Sequence, residues 1–151
     1  MRSLGPWMLS GLLCVSFGCS KAETPFSKST IKVTGVITIN GDPPEESIQL
    51  ESVPDSGRDA EHPTVSTAET KEDGSFEFTT YQTGDGVPPG NYSITAKCVP
   101  FNMMTRERAG GDKLGGQYDE VKESPKKFEA EEGESTIDLG TIDLQVTLKK
   151  K

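Results

Sequence analysis

Four places in this sequence carry residue types that could do chemistry. They are a cysteine after a small residue at position 19, the single histidine at position 62, the cysteine at position 98, and the glycine-rich residues 110–116. Thiols can be acylated, oxidised or act as nucleophiles, imidazoles bind metals or move protons, and glycine-rich loops bind phosphates. The surroundings of each residue decide which of these chemistries the sequence supports.

Cys19 follows a segment typical of a secretory signal peptide. Arg2 supplies a positive charge, and residues 4–17 are uncharged, which fits the core of about 7 to 15 apolar residues expected for such a peptide. This core is too short to span a bilayer, which needs about 20 apolar residues. Ser16 and Gly18 place small residues third and first before Cys19, so we predict cleavage after residue 18.

The Gly18-Cys19 pair resembles the lipobox of bacterial lipoproteins, in which a small residue precedes a cysteine that is diacylated and becomes the mature N-terminus. The resemblance implies a lipid on Cys19 that attaches the protein to the cell membrane or the outer membrane, facing the periplasm or the cell surface. Ser20, the next residue, favours the outer membrane by the same resemblance. The usual Leu and small residue of the lipobox are replaced by Ser16 and Phe17. Secretion without a lipid is the alternative, and Cys19 could then form a disulfide bond with Cys98.

The chain is acidic overall. Its formal net charge is −8, and loss of Arg2 with residues 1–18 would make the mature chain −9. Proteins bind nucleic acids largely through Lys and Arg that neutralise phosphates, so we expect no nucleic-acid partner. The acidity is typical of an exported protein kept soluble by its charge.

His62 lies near Asp55, Asp59 and Glu61, a combination that could hold a cation. The spacing does not match the calcium loop, which has a central Gly and a terminal Glu. A Ser-His-Asp triad would need a nucleophile elbow, which is absent from the sequence. We therefore predict a solvated loop over residues 54–63 and no metal ligand.

Structural roles, and not chemical ones, are predicted for Cys98 and for the glycine-rich segment. Cys98 alternates with apolar residues and is predicted to be a small buried hydrophobe. Residues 110–116 lack the Gly-Lys-Ser/Thr ending of a phosphate loop, so we predict a long mobile loop over 100–123 with one short strand near Tyr118. Exposed aromatic platforms for a glycan are few, and Tyr81 is expected to be exposed. We predict no catalytic residue, no cofactor and a non-enzymatic chain.

The elements that would position these residues are strands. From residue 31 onward apolar residues recur with a period of two, in short segments separated by Gly, Pro, Asn and Asp. Asn40-Gly41 ends the first strand, whose return strand is near Ile48, and Asp73-Gly74 predicts a hairpin. Gly140 predicts a bulge in the last strand. About seven strands predict a β-sandwich.

The predicted organisation has four parts: a signal peptide at 1–18, the lipid anchor and a flexible polar tether at 19–30, the sandwich at 31–148, and a basic tail at 149–151. A sandwich of this length can bury a sufficient core without disulfides.

Four stretches resemble the transthyretin-like (prealbumin-like), carboxypeptidase-regulatory-like β-sandwich found in many small bacterial lipoproteins. They are VTGVITINGDPP at 33–44, ETKEDGSFEF at 69–78, GVPPGNYSITA at 86–96 and DLGTIDL at 138–144. The resemblance implies a Greek-key sandwich but transfers no activity. Enzymes of this fold, a 5-hydroxyisourate hydrolase and the intradiol dioxygenases, use two or more histidines, whereas this chain has one.

These observations predict an exported cell-envelope lipoprotein that acts as a structural or protein-interaction module, with an envelope protein or glycan as partner. The alternative is a protein that binds a small ligand, glycan or cation through loops 54–63 and 100–123.

Overall fold

The computed structural model describes residues 26–147. Nine strands occur along them: β1 Lys32–Ile39, β2 Gln49–Pro54, β3 Ser66–Glu69, β4 Ser75–Glu77, β5 Gly90–Lys97, β6 Phe101–Asn102, β7 Glu107–Arg108, β8 Lys127–Ala130 and β9 Thr136–Leu144. One turn of 3-10 helix at Val121–Glu123 precedes β8, and this range of residues holds no α-helix. The prediction of an all-β chain is confirmed.

Several predictions fall on other residues. The signal peptide at 1–18, Cys19, the first part of the tether and the basic tail at 149–151 lie outside the described residues. Between residues 26 and 147, no helix is both long enough and apolar enough to cross a membrane.

Seven strands form two sheets. One has the order β4-β1-β9 and the other β3-β2-β5-β8, while β6 and β7 make a separate two-stranded ribbon. Neighbouring strands are antiparallel except β1 and β9, which run parallel. The number and spacing of the main strands agree with the predicted seven, and the two sheets share one core, as in a β-sandwich.

An aromatic cluster joins the two sheets at the centre of the core. Phe76 of β4 meets Phe78 edge to face, with ring centroids 5.6 Å apart. Phe128 of β8 stacks on Phe78 and on Tyr92 of β5. Because Phe76 and Phe128 belong to different sheets, burial of these rings stabilises the packing of one sheet on the other. Other fully buried side chains are Val33, Ile37, Ile48, Leu50, Val87, Ile94 and Leu144.

The turn at Asp73-Gly74 forms, but the hairpin predicted across it does not. The Lys71 N–H donates to the Ser75 carbonyl and the Gly74 N–H to the Lys71 carbonyl, both at 2.9 Å. The chain then changes sheets, because β3 pairs with β2 whereas β4 pairs with β1. A single bridge between Thr67 and Thr79 remains between the two arms. β4 pairs along the edge of β1 that β9 does not occupy, which satisfies the backbone hydrogen-bonding groups of both strands. The turn therefore forms a corner between the two sheets of the sandwich.

The turn after β1 likewise forms as predicted, but the strands on its two sides do not pair with each other. Asn40 and Gly41 have the predicted positive φ angles, 52° and 92°. However, β2 does not return along β1, because it lies in the other sheet between β3 and β5.

The bulge predicted at Gly140 is confirmed. Gly140 has a φ of 66°, and the register of β1 with β9 shifts between Thr34 and Val36. Leu139 and Ile142 are three positions apart, so regular alternation would point them to opposite faces of the strand. The extra residue of the bulge lets both side chains face the core.

The sandwich has two distinct ends, which the β2–β5 register defines. Pro54 pairs with Tyr92 at one end and Gln49 with Lys97 at the other. The N-terminal end holds residues 26–31 and the loop after β2, while the hairpin end holds the β6–β7 hairpin and the chain leaving β1. A strand of six residues places these ends about 17 Å apart.

Candidate functional site

At the N-terminal end, the last part of the predicted tether lies against the loop at 54–63. The Phe26 ring stacks on His62 with centroids 3.8 Å apart and an angle of 13° between the planes. Lys28 donates to the Asp59 carboxylate at 2.9 Å. Residues 26–28, the last part of the predicted flexible tether, thus contact the domain through a stacked ring and an ion pair.

Asp59 organises this contact. Its carboxylate also accepts the backbone N–H groups of Glu61 at 3.0 Å and His62 at 3.1 Å. The bond from Lys28, followed by these two N–H donors, lowers the pKa of Asp59 to about 2. The side chain that the sequence placed in a candidate cation site thus serves as an acceptor for its own loop.

A cavity of about 400 Å³ opens beside this contact. Its polar lining includes Lys28, Ser56, Arg58 and Asn91, with Tyr92 at the inner side. Arg58 is paired with Glu51, as Lys28 is with Asp59. Among residues 26–147, no three His, Cys, Asp or Glu side chains come together in a geometry that could hold a metal ion.

At the opposite end, the β6–β7 hairpin presents apolar side chains to solvent. Met103 is 81% exposed and Met104 94%, and these two residues are the hairpin tip. Phe101, at the start of the hairpin, is 50% exposed. Large apolar side chains clustered in solvent are typical of interaction sites.

Asn102 builds the hairpin. Its side-chain oxygen accepts the backbone N–H of Met104 at 2.9 Å, and its carbonyl accepts the N–H of Arg106 at 2.8 Å. Arg106 takes a positive φ of 57° to close the turn. Arg108 lies over the Phe101 ring and donates to Glu69 at 2.7 Å, which fixes the base of the hairpin on the sandwich. The tip is therefore held outward by a defined local structure.

Beside the hairpin lies a second cavity, of about 280 Å³, which we call the hairpin cleft. Its apolar lining comprises Ile39, Pro43, Cys98, Leu114 and Val146, and its polar residues are Asn40, Asp42, Glu45, Glu46 and Lys113. Lys113 is paired with Glu46. The cleft thus combines an apolar floor with a mainly acidic rim.

Cys98 is a free buried thiol in this floor, 3% exposed, as predicted. Burial, and next the negative charge of Glu46, raise the pKa of the thiol above its ordinary value. Because the thiolate is the nucleophilic form, this environment suppresses its reactivity.

The glycine-rich residues 110–116, part of the long mobile loop that the sequence predicted, form turns around one carboxylate. The Asp112 carboxylate accepts the backbone N–H groups of Cys98, Leu114 and Gly116 at 2.7, 3.1 and 2.8 Å. Leu114 is buried, and Tyr118 lies in a turn, so the predicted strand near Tyr118 is absent. One carboxylate replaces the ladder hydrogen bonds that a strand would have supplied.

Tyr81 also differs from its prediction. The side chain is partly buried, and its hydroxyl has no hydrogen-bond partner among the described residues. Tyr81 therefore offers no exposed aromatic platform for a glycan.

Loops 54–63 and 100–123 do not form the joint binding site that the sequence suggested. The first lies at the N-terminal end, while the β6–β7 hairpin of the second lies at the hairpin end. The hairpin itself was missed, although the run Phe101-Asn102-Met103-Met104 followed by Arg106 and Arg108 is an apolar segment with basic flanks. Its short strands carry no period-two pattern that would have identified them.

No family model matches the chain, and no curated protein matches it. A solved structure, that of a 9R-lipoxygenase from Cyanothece PCC8801, matches 82% of this chain at 18% identity with a TM-score of 0.38. The match covers 18% of the lipoxygenase chain, so the two proteins differ greatly in length.

The prediction of a non-enzymatic chain is contradicted by this match, because the matched structure is an enzyme. A TM-score of 0.38 assigns no activity to this chain.

Proposed function

We propose that this chain is an exported protein of the bacterial cell envelope, anchored by a lipid on Cys19, that contacts another protein through its β6–β7 hairpin. The observation that carries the contact is the hairpin tip, where Met103 and Met104 are 81% and 94% exposed. Methionine is flexible and polarizable, which suits it to binding surfaces. The anchor rests on the N-terminal segment and the Gly18-Cys19 pair.

The positions of the two ends support this arrangement. Residues 26–31 enter the domain at the N-terminal end, so an anchor at Cys19 would hold that end toward the membrane. The hairpin is at the other end of the sandwich and would point away from the bilayer. An exposed apolar tip held away from the bilayer is accessible to a protein partner.

We also propose that the sandwich is a transthyretin-like, Greek-key one. Support comes from a four-stranded sheet packed on a three-stranded sheet, and from the turns at Gly41, Gly74 and Gly90, all with positive φ. An experimental structure that superposed poorly on that group would contradict this assignment.

The intact mass of protein extracted from membranes tests the anchor. We expect a chain that begins at Cys19 and carries the added mass of a diacylglycerol and acyl chain. The Cys19→Ala variant should lose membrane association, while Cys98→Ala, the matched control, should keep it. A mature chain without added lipid in the wild type would reject the anchor.

A second candidate function is binding of a small anionic ligand or glycan at the N-terminal end. The observation in its favour is the polar cavity of about 400 Å³ with Lys28, Arg58 and Asn91 in its lining. A saturable thermal shift with envelope glycan fragments, lost in Arg58→Ala and kept in Arg106→Ala, would support it. A shift that survived Arg58→Ala would contradict this location.

A further inference from the structure

We infer that the hairpin end is a self-association surface: the Met103–Met104 tip of one copy enters the hairpin cleft of a second copy, and the exchange is reciprocal. This inference rests on the proposed function and names the partner of the same hairpin.

The first step is that the two side chains of the tip are almost entirely exposed among the described residues. Met103 and Met104 are 81% and 94% exposed, so neither fills the cleft beside it. Asn102 and the Arg106 turn hold the tip outward. Transfer of two thioether side chains from water into an apolar site is favourable, because it removes apolar surface from water.

The second step is that the same chain carries a receiving site. The hairpin cleft has a volume of about 280 Å³ and an apolar floor that includes Ile39, Leu114 and Val146. Linear side chains such as Met enter irregular apolar sites readily, because they have three rotatable bonds.

Charge supplies the third step. Arg106 flanks the tip, and Asp42 and Glu45 are exposed on the rim of the cleft. None of these three residues takes part in an ion pair among the described residues. Two mature chains, each with a net charge of −9, repel each other. An Arg that meets acidic residues at the contact offsets this repulsion within the interface.

The fourth step is symmetry. Tip and cleft lie at the same end of the sandwich, so a two-fold axis through that end lets each tip meet the partner's cleft. Two equivalent contacts form at once, which doubles the area that one tip would bury.

Sedimentation of the full-length mature protein tests the association directly. We expect a monomer–dimer equilibrium with dimer populated at concentrations on the order of 100 µM, as for a small transient interface. Met104→Asp should weaken it at least about 10-fold, the loss expected for a central contact. Val65→Asp, which removes a 41% exposed apolar side chain at the N-terminal end, is the matched control and should have no effect. A wild type that stays monomeric overturns the inference.

Charge reversal tests the pairing of the two surfaces. Arg106→Glu should abolish self-association, and so should Asp42→Lys combined with Glu45→Lys. Mixing the two variants should restore both tip-to-cleft contacts and produce a heterodimer, because the acidic tip of the first variant meets the basic rim of the second, and the native Arg106 of the second meets the native acidic rim of the first. Loss without restoration in the mixture overturns the proposed pairing, and circular dichroism of each variant checks that the fold is intact.

Photo-crosslinking separates this inference from the proposed function. A photoreactive residue at position 104, in the full chain expressed in the cell that makes it, should give an adduct of two copies of this chain. An adduct with a different protein overturns self-association but supports the proposed protein contact. No adduct at all overturns both, whereas the intact mass still reports on the anchor independently.

Discussion

The Asp112 carboxylate accepts the backbone N–H of Cys98 at 2.7 Å, which joins the end of β5 to the glycine-rich segment across 14 residues of chain. The same carboxylate accepts the N–H groups of Leu114 and Gly116. A single side chain therefore holds the turn that seats Leu114 in the core, where Leu114 lines the hairpin cleft.

We predict that Asp112→Ala destabilises the protein by about 2 to 3 kcal/mol, because three partly buried N–H groups lose a charged acceptor. Amide exchange should accelerate first at Cys98, Leu114 and Gly116. Asp119→Ala is the control, since Asp119 lies in the same segment but makes only an exposed pair with Lys97 at 3.6 Å. Equal effects of the two substitutions would contradict the role given to Asp112.

Two tyrosines form a matched pair for a hydrogen-bond test. The buried Tyr92 hydroxyl donates to the Pro88 carbonyl at 2.8 Å, whereas the buried Tyr81 hydroxyl has no partner among the described residues. Tyr92→Phe should cost about 1 to 2 kcal/mol, because it leaves a buried carbonyl unpaired. Tyr81→Phe should be neutral or stabilising, because it removes a hydroxyl buried without compensation. Chemical denaturation gives both values, and a larger cost at Tyr81 would refute the assignment.

Local sequence patterns predicted the strands better than the pairing of strands. The period-two runs located Val33, Phe76 and Ile94 in the core, because alternation is a property of each strand alone. Asp73-Gly74 predicted the turn correctly, but not that the strands on its two sides pair with different neighbours, β3 with β2 and β4 with β1. This pairing depends on which strand edges are available in the folded domain. The residues of a strand alone do not determine which of the two sheets it joins.

The candidate site was less predictable for a related reason. Cys98 and Glu46 lie 52 positions apart in the sequence, and only the crossing from β1 to β2 brings both to the hairpin cleft. The exposure of Met104 likewise depends on the Asn102 turn, which a short run of apolar residues does not reveal. Cys98 itself was predicted correctly, because it continues the alternation of β5.

Two glycines separate steric crowding from backbone conformation. Gly86 and Gly41 have similar positive φ angles, 94° and 92°. A Cβ at Gly86 would lie 1.8 Å from the Ile31 carbonyl oxygen, whereas a Cβ at Gly41 would have no atom within 4 Å. We expect Gly41→Ala to cost about 1 kcal/mol and Gly86→Ala at least about 3 kcal/mol, because the second must also displace β1. Thermal unfolding measures both, and similar losses would contradict the close approach at Gly86.

Protonation of Asp59 should release residues 26–28 from the domain. The Lys28 bond and two backbone N–H donors hold the Asp59 pKa at about 2, below its ordinary value of 3.8. A lowered pKa in the folded chain means that the contact is fully formed above pH 3.8 and is lost as the pH falls toward 2. Carboxyl chemical shifts should show this titration, with loss of the Phe26–His62 stacking over the same range. Lys28→Gln should raise the Asp59 pKa toward its ordinary value, whereas Lys71→Gln, a distant lysine, should leave it unchanged. An Asp59 that titrates at its ordinary value in the wild type would show that Lys28 does not hold this end in solution.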